Sequence, residues 1–89
     1  MKKQEPVTIK ISGIYKITAP TGKVYIGQST DIKKRWHQYK KDFFKKQYKL
    51  YYSIQKYGYE NHEFSIIEEC GELELNLRER FWQDFYNVV

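Results

Sequence analysis

Two short runs, rich in β-branched and aromatic residues, lie on either side of a turn and limit which folds the chain can form. The runs are 14–18 (IYKIT) and 23–26 (KVYI), and Ala19-Pro20-Thr21-Gly22 separates them. Runs of this composition form strands, and Pro followed two residues later by Gly is typical of a tight turn. Residues 11–28 are therefore predicted to form a β-hairpin.

One face of this hairpin is predicted to carry two tyrosines. Side chains two apart in a strand share a face, so Tyr15 lies with Gly13 and Ile17 in the first strand. Tyr25 lies with Gly27 in the second strand. A register that puts the tyrosines on the same side leaves that side open, because neither glycine has a side chain to fill it. This face is either tyrosine-rich core or the floor of a site.

The remainder of the chain predicts three helices and a third strand. Apolar residues at helical spacing after an N-cap candidate predict a first helix over 31–44. A second helix is predicted over 49–57, and Gly58 can end it in a left-handed conformation. The short apolar run within 63–70 predicts a third strand, buried on much of both faces. A last helix is predicted over 72–87, where Leu and Phe recur every four positions.

The element order ββααβα indicates an α+β fold, a three-stranded and mostly antiparallel sheet flanked by three helices. Its 89 residues suffice for a single core, so 11–89 is predicted to be one domain after a flexible arm over 1–10. No apolar run approaches the length of a membrane span, and the start does not resemble a signal peptide. We therefore expect a cytoplasmic protein without a membrane partner, and the lone Cys70 fits a reducing compartment.

The net charge of +5 conceals an asymmetry along the chain. Residues 1–59 carry 14 basic and 3 acidic side chains, whereas 60–89 carry 2 and 8. The densest basic block, 31–49, also contains several aromatic residues. Such a surface is typical of nucleic-acid binding, since Lys and Arg displace counterions from phosphates, but a solvated lysine-rich helix has the same composition. The basic residues predicted to contact DNA are Lys33, Lys34, Arg35, Lys40, Lys41, Lys45, Lys46 and Lys49.

Few side chains of this chain are suited to catalysis. Arg35 and Tyr39 lie four apart, so they share one side of the first helix. Neither His37 nor His62 has neighbours that indicate a nucleophilic arrangement, and both are expected at surface or strand-end positions. Glu79 lies in the middle of the last helix between two arginines. It is either half of a surface ion pair or a catalytic carboxylate.

Several segments together resemble the GIY-YIG nuclease superfamily. The resemblance covers residues 12–87, and it is to the nuclease domains of phage- and intron-associated homing endonucleases. A bacterial or phage-encoded protein is therefore expected. The segments are Gly13-Ile14-Tyr15, Tyr25-Ile26-Gly27, DIKKRW at 31–36, KYG at 56–58, FSIIEE at 64–69 and RERFW at 78–82.

The resemblance implies a divalent-metal-dependent endodeoxyribonuclease that hydrolyses phosphodiester bonds at a single active site. Tyr15 would help to deprotonate the attacking water, and Tyr25 would hold the nucleophile or the scissile phosphate. Arg35 would clamp the phosphate, and Tyr39 would position or relay a proton near Tyr15. Glu79 would be the single protein ligand of one ion, Mg²⁺ or Mn²⁺.

Double-stranded DNA is the implied substrate, and Gly13 and Gly27 would leave room for a phosphate to approach the strands. Sequence specificity is expected to be low, because homing enzymes usually recognise their target through a separate domain or chain. Two other classes of function stay open. One is a catalytically silent DNA-binding module that uses the same basic helical face. The other is a protein-interaction domain whose oppositely charged halves meet a partner or a second copy.

Overall fold

The structure is a computed structural model that describes residues 10–41 and 48–88. In these residues, a three-stranded antiparallel sheet is combined with three α-helices. Strand β1 (Gly13–Thr18) lies between β2 (Val24–Ser29) and β3 (Glu63–Glu69), so β2 is an edge strand. Single 3₁₀ turns precede the third strand and the last helix. This confirms the predicted α+β fold. The elements in chain order are β1 (Gly13–Thr18), β2 (Val24–Ser29), α1 (Ile32–Lys40), α2 (Tyr48–Tyr57), β3 (Glu63–Glu69) and α3 (Leu75–Phe85).

The predicted hairpin is present, with the predicted facing of its tyrosines. Tyr15 is the Cα partner of Gly27, and Ile17 is the partner of Tyr25. Directly paired residues point to the same face of a sheet, so both tyrosines lie on one face. Gly22 in the turn has a φ of 90°, a backbone conformation that favours glycine.

The helices α1 and α2 cover the face of the sheet that carries the tyrosines. Their inward side chains and those of β1 form the main core, in which each member is at most 6% exposed. Burial of one large apolar side chain contributes about 1.5–3 kcal/mol, so this cluster fixes both helices on the sheet. Its members are Tyr15, Ile17, Ile32, Tyr39, Leu50 and Ile54.

The last helix, α3, packs on the opposite face of the sheet. Glu68, Ile14 and Gln28 are Cα partners in a row across the three strands, and this row faces α3. Glu68 Oε1 accepts hydrogen bonds from Arg78 Nε and from Trp82 Nε1, each at 2.8 Å. These two bonds connect the centre of α3 to β3.

The repeat that predicted α3 does not mark its buried face. Apolar residues every four positions do form a helix, but their side chains are between 46% and 100% exposed. Leu75 is the buried residue of α3, and the side chains that bond to the sheet are polar or aromatic, including Glu79 and Trp82. The exposed apolar residues are Leu73, Leu77, Phe81 and Phe85.

Element bounds agree with the predictions to within a few residues. Asp31 caps α1, since its carboxylate accepts from the backbone N–H of Lys34 at 3.4 Å. Gly58 ends α2 with a φ of 92°. Three predicted parts lie outside the described residues: 1–9 of the arm predicted over 1–10, 42–44 at the end of the predicted first helix, and the loop basic residues at 45–46. Of the helices that the structure describes, none is both long and apolar enough to cross a bilayer.

Candidate active site

A cavity of about 570 Å³ at the β2 edge brings together the five side chains predicted to be catalytic. Tyr15 and Tyr25 come from the hairpin, Arg35 and Tyr39 from α1, and Glu79 from α3. Because α1 and α3 lie on opposite faces of the sheet, the cavity extends round the edge strand. Its other lining residues are Ile17, Ile26, Gly27, Gln28, Lys49 and Leu50.

The hydroxyls of Tyr15 and Tyr39 are hydrogen-bonded to each other inside the core. The two side chains are 2% and 1% exposed. Burial raises the pKa of the Tyr15 phenol, and Tyr39 raises it further, while the adjacent Arg35 lowers it. The net shift is upward from the ordinary value of about 10, so Tyr15 is a neutral phenol at neutral pH.

Gly27 provides the space in which the ring of Tyr15 lies. A Cβ at Gly27 would come within 2.5–2.8 Å of two carbons of that ring and of its hydroxyl oxygen. A Cβ at Gly13 would instead overlap the backbone carbonyl of Glu68 in β3. The expectation that both glycines leave room for a phosphate is therefore wrong. Strand backbone fills the space beside Gly13, and the tyrosine ring fills the space beside Gly27.

Tyr25 is half-buried and holds its hydroxyl close to α2. It donates to the backbone carbonyl of Lys49 at 3.3 Å, which is long for an O–H···O bond. The ammonium of Lys23 lies 5.9 Å from the centroid of the Tyr25 ring. A long bond to a backbone carbonyl is easily exchanged, so this hydroxyl can turn to an anion in the cavity.

The carboxylate of Glu79 accepts hydrogen bonds from two amides. Gln28 Nε2 lies 2.6 Å from Oε1, and Gln83 Nε2 lies 3.5 Å from Oε2. The preceding Arg78 forms its ion pair with β3, at 2.8 Å. Of the two sequence readings of Glu79, this arrangement therefore favours the carboxylate in a site over the surface ion pair.

The donor set fits a hard divalent cation that is bound largely by water and substrate. Glu79 supplies one carboxylate to the cavity wall. Over residues 10–41 and 48–88, no three His, Cys, Asp or Glu side chains converge on one point. Mg²⁺ is usually held by one or two carboxylates together with waters and substrate phosphates, whereas a structural Zn²⁺ site needs four protein ligands. A single glutamate is therefore compatible with Mg²⁺ or Mn²⁺.

The basic residues predicted to contact DNA differ in their relation to the cavity. Arg35 and Lys49 line it. Lys45 and Lys46 fall in the part of the chain that the structure does not describe. The other four are exposed on α1 or at its end, on sides of the helix other than the side facing the cavity: Lys33, Lys34, Lys40 and Lys41.

His62 directly precedes β3, as predicted, but it is buried rather than at the surface. Its Nδ1 lies 2.7 Å from the carbonyl oxygen of Gly58, and its Nε2 lies 2.7 Å from the hydroxyl of Ser53. A carbonyl only accepts, so Nδ1 carries a proton and donates to Gly58; in the neutral imidazole Nε2 then accepts from the Ser53 hydroxyl. Neither Ser53 nor His62 lines the cavity, so this pair clamps α2 to the start of β3.

One polar residue that lines the cavity and one that holds α3 on the sheet were not among the sequence candidates. Gln28 lines the cavity and binds Glu79, and Glu68 holds α3 on the sheet. The position of Gln28 directly after Gly27 indicates its orientation, because side chains alternate along a strand and Gln28 therefore points to the opposite face from Tyr15. What that face meets depends on tertiary packing.

Comparison with known proteins agrees with this geometry. A family model described as the GIY-YIG catalytic domain matches residues 11–88. Among solved structures, the chain is similar to the catalytic domain of the homing endonuclease I-TevI, at 36% identity and a TM-score of 0.73. That match covers 85% of this chain and 88% of the other. None of the curated proteins matches significantly. Because the family model spans nearly the whole chain and the fold is similar to that of a homing endonuclease catalytic domain, the chain belongs to the GIY-YIG catalytic domain family.

Proposed function

We propose that this protein is a divalent-metal-dependent endodeoxyribonuclease that hydrolyses phosphodiester bonds of double-stranded DNA at a single active site. The observation that carries the proposal is the cavity at the β2 edge, where the hairpin, α1 and α3 each contribute polar side chains. Similarity to the catalytic domain of a homing endonuclease supports the same class of reaction.

Arg35 would bind the scissile phosphate. Its guanidinium is permanently charged, and its planar donors match the oxygens of a phosphate. Its half-buried position in the cavity wall strengthens that attraction, because partial burial lowers the local dielectric. Arg35 would therefore stabilise the charge that develops on the phosphate oxygens in the transition state. Tyr25 would donate its hydroxyl to the nucleophile or to the same phosphate.

Tyr15 would orient the attacking water and take its proton at the phenol oxygen. The raised pKa of this phenol means that the basic form, the phenolate, is scarce at neutral pH. The guanidinium of Arg35 favours the phenolate, and the hydrogen bond to Tyr39 holds the ring in place. The phenolate is thus a small fraction of the protein at neutral pH but a strong base, and that fraction should increase with pH.

Glu79 would hold one Mg²⁺ or Mn²⁺ by its carboxylate. When bound, such an ion supplies positive charge that stabilises the attacked phosphate and the departing oxygen. The protein's part is to hold this carboxylate fixed in the cavity wall. The hydrogen bonds from the Gln28 and Gln83 amides serve that role, since each binds one carboxylate oxygen.

The exposed lysines of α1 would bind phosphates of the DNA backbone away from the cleaved bond, because they lie on other sides of the helix than the side facing the cavity. Phosphate contacts give affinity and orientation but carry no sequence information. Low intrinsic specificity follows, so a separate domain or chain would supply target recognition.

The test is plasmid nicking by the purified protein with Mg²⁺ or Mn²⁺, beside the variants Glu79→Ala and Tyr15→Phe. We expect wild-type protein to relax supercoiled plasmid, Glu79→Ala to show only background nicking, and Tyr15→Phe to be slower by about 10²–10⁴-fold. A wild-type rate equal to that of Glu79→Ala with both metals would overturn the enzyme proposal. Salt-sensitive DNA binding without nicking would then indicate a silent binding module.

A further inference from the structure

The side chain of Gln28 connects the edge strand to α3 at the wall of the cavity. Its Nε2 donates to Glu79 Oε1 at 2.6 Å and to Asn76 Oδ1 at 2.8 Å. Gln28 pairs with Ile14 and therefore faces α3, while the neighbouring Gly27 lies under the tyrosine ring. This one side chain thus links the part of the site made by the hairpin to the part made by the helix.

The chemistry of the partners fixes the orientation of the Gln28 amide. A carboxylate oxygen only accepts hydrogen bonds, so the amide nitrogen, not its oxygen, must face Glu79. Asn76 and Glu79 are three apart and therefore lie on the same side of α3. The two N–H groups of the Gln28 amide can bind Asn76 and Glu79 at the same time, so Gln28 spans one turn of the helix. The shorter of its two hydrogen bonds is the one to the Glu79 carboxylate.

We propose that Gln28 is a positioning residue for Glu79. It binds Oε1, and Oε2 is left as the oxygen for the cation, because the contact of Oε2 with Gln83 is at the limit of hydrogen bonding at 3.5 Å. This inference rests on the proposed function and deepens it, since it assigns how the single metal ligand is held. Partners that orient a metal ligand typically contribute about 10–100-fold to metal affinity or activity.

The test follows Mn²⁺ binding directly in ¹⁵N-labelled protein. Bound Mn²⁺ broadens nearby backbone amide signals, so titration gives an affinity even for a weak site, and the same spectra report whether each variant is folded. We expect Gln28→Met, which keeps the size but removes the donor, to weaken Mn²⁺ binding about 10–100-fold. Asn76→Ala, an exposed helix position, should weaken it less. The matched control Gln55→Met, exposed on α2, should bind as wild type does.

A double-mutant cycle in plasmid nicking separates positioning from direct contact. Glu79→Asp withdraws the carboxylate from Gln28 by one methylene, so Gln28→Met should add little to the loss caused by Glu79→Asp. If Gln28 touched the DNA or the ion independently, the two losses would multiply.

Two outcomes distinguish this inference from the proposed function. If Gln28→Met and Asn76→Ala bind Mn²⁺ as wild type does while Glu79→Ala does not, the positioning role is overturned and the nuclease proposal stands. If Gln28→Met fails to fold, Asn76→Ala decides alone: wild-type Mn²⁺ binding by Asn76→Ala overturns the positioning role, and weaker binding supports it. If Mn²⁺ binding depends on both Glu79 and Gln28 but wild-type protein nicks no DNA, the nuclease proposal fails and the positioning role is supported.

Discussion

At the scale of single residues, Tyr15 has an environment that opposes its proposed task as a base. Burial favours the neutral phenol, and only Arg35 among its named neighbours favours the phenolate. Tyr15 is nevertheless among the residues that line the cavity, although it is only 2% exposed. The tyrosine is therefore both a core residue and a site residue. Both interpretations of the hairpin face therefore apply to this residue.

The pKa of Tyr15 gives a prediction for the pH dependence of nicking. Since that pKa lies above the ordinary phenol value of about 10, the phenolate should increase about tenfold per pH unit across pH 6–9. The nicking rate should rise with pH over this range without levelling, and Tyr15→Phe should lose most of that rise. A wild-type rate independent of pH between 6 and 9 would contradict this role.

Replacing Gly27 should displace the Tyr15 ring. The added methyl of Gly27→Ala would lie 2.5 Å from a ring carbon, and over-packing of this kind costs about 1–3 kcal/mol. We expect lower stability in urea unfolding and a large loss of nicking. Gly71→Ala is the matched control, because the nearest atom to its Cβ is 4.0 Å away and its φ is −74°. Equal behaviour of the two variants would refute the proposed fit.

At the scale of elements, the edge position of β2 allows helices on opposite faces of the sheet to reach one cavity. A central strand would separate α1 from α3, whereas an edge strand can be approached from both sides. The position of α3 is therefore important, and Glu68 is the residue of β3 that holds it. Hydrogen bonds from Trp82 and Arg78 keep the pKa of Glu68 below its ordinary range.

Glu68→Ala should loosen α3. Two donors lose their acceptor, so we expect a lower melting temperature and slower nicking than in Glu69→Ala, an exposed neighbour at the end of β3. Because the pKa of Glu68 is lowered on folding, its stabilisation is present at neutral pH and lost as the pH falls below the ordinary carboxyl value of about 4.3. The difference in melting temperature should therefore shrink in acid. A constant difference down to pH 3 would contradict this explanation.

The sequence predicts those parts of the site that depend on local geometry. Strand alternation placed Tyr15 and Tyr25 on one face, and helical spacing placed Arg35 beside Tyr39. Local rules did not show that Gly13 packs against the backbone of β3, because strand order is a tertiary property. They also did not identify the buried side of α3, since its apolar repeat faces outward.

At the scale of the whole molecule, the separation of charge along the chain should govern DNA binding. Each phosphate neutralised by a lysine changes the slope of log K against log salt by about 0.9. We therefore expect Lys40→Ala to weaken duplex binding, measured in EDTA to prevent cleavage, and to reduce that slope by about one unit. Lys56→Ala, an exposed lysine of α2, serves as the control. Identical salt slopes for the two variants would mean that the α1 lysines do not contact DNA.

The central claim is that one carboxylate from α3 completes a nuclease site built on the hairpin. Its most direct test compares the single-turnover nicking rates of Glu79→Gln and Glu74→Gln. Each replaces a carboxylate by an amide of nearly the same shape, and Glu74 directly precedes α3. We predict that the nicking rate of Glu79→Gln falls by more than about 100-fold, which exceeds the typical effect of removing a residue that only supports a metal ligand. Glu74→Gln should nick at the wild-type rate. Equal rates for the two variants would contradict the claim.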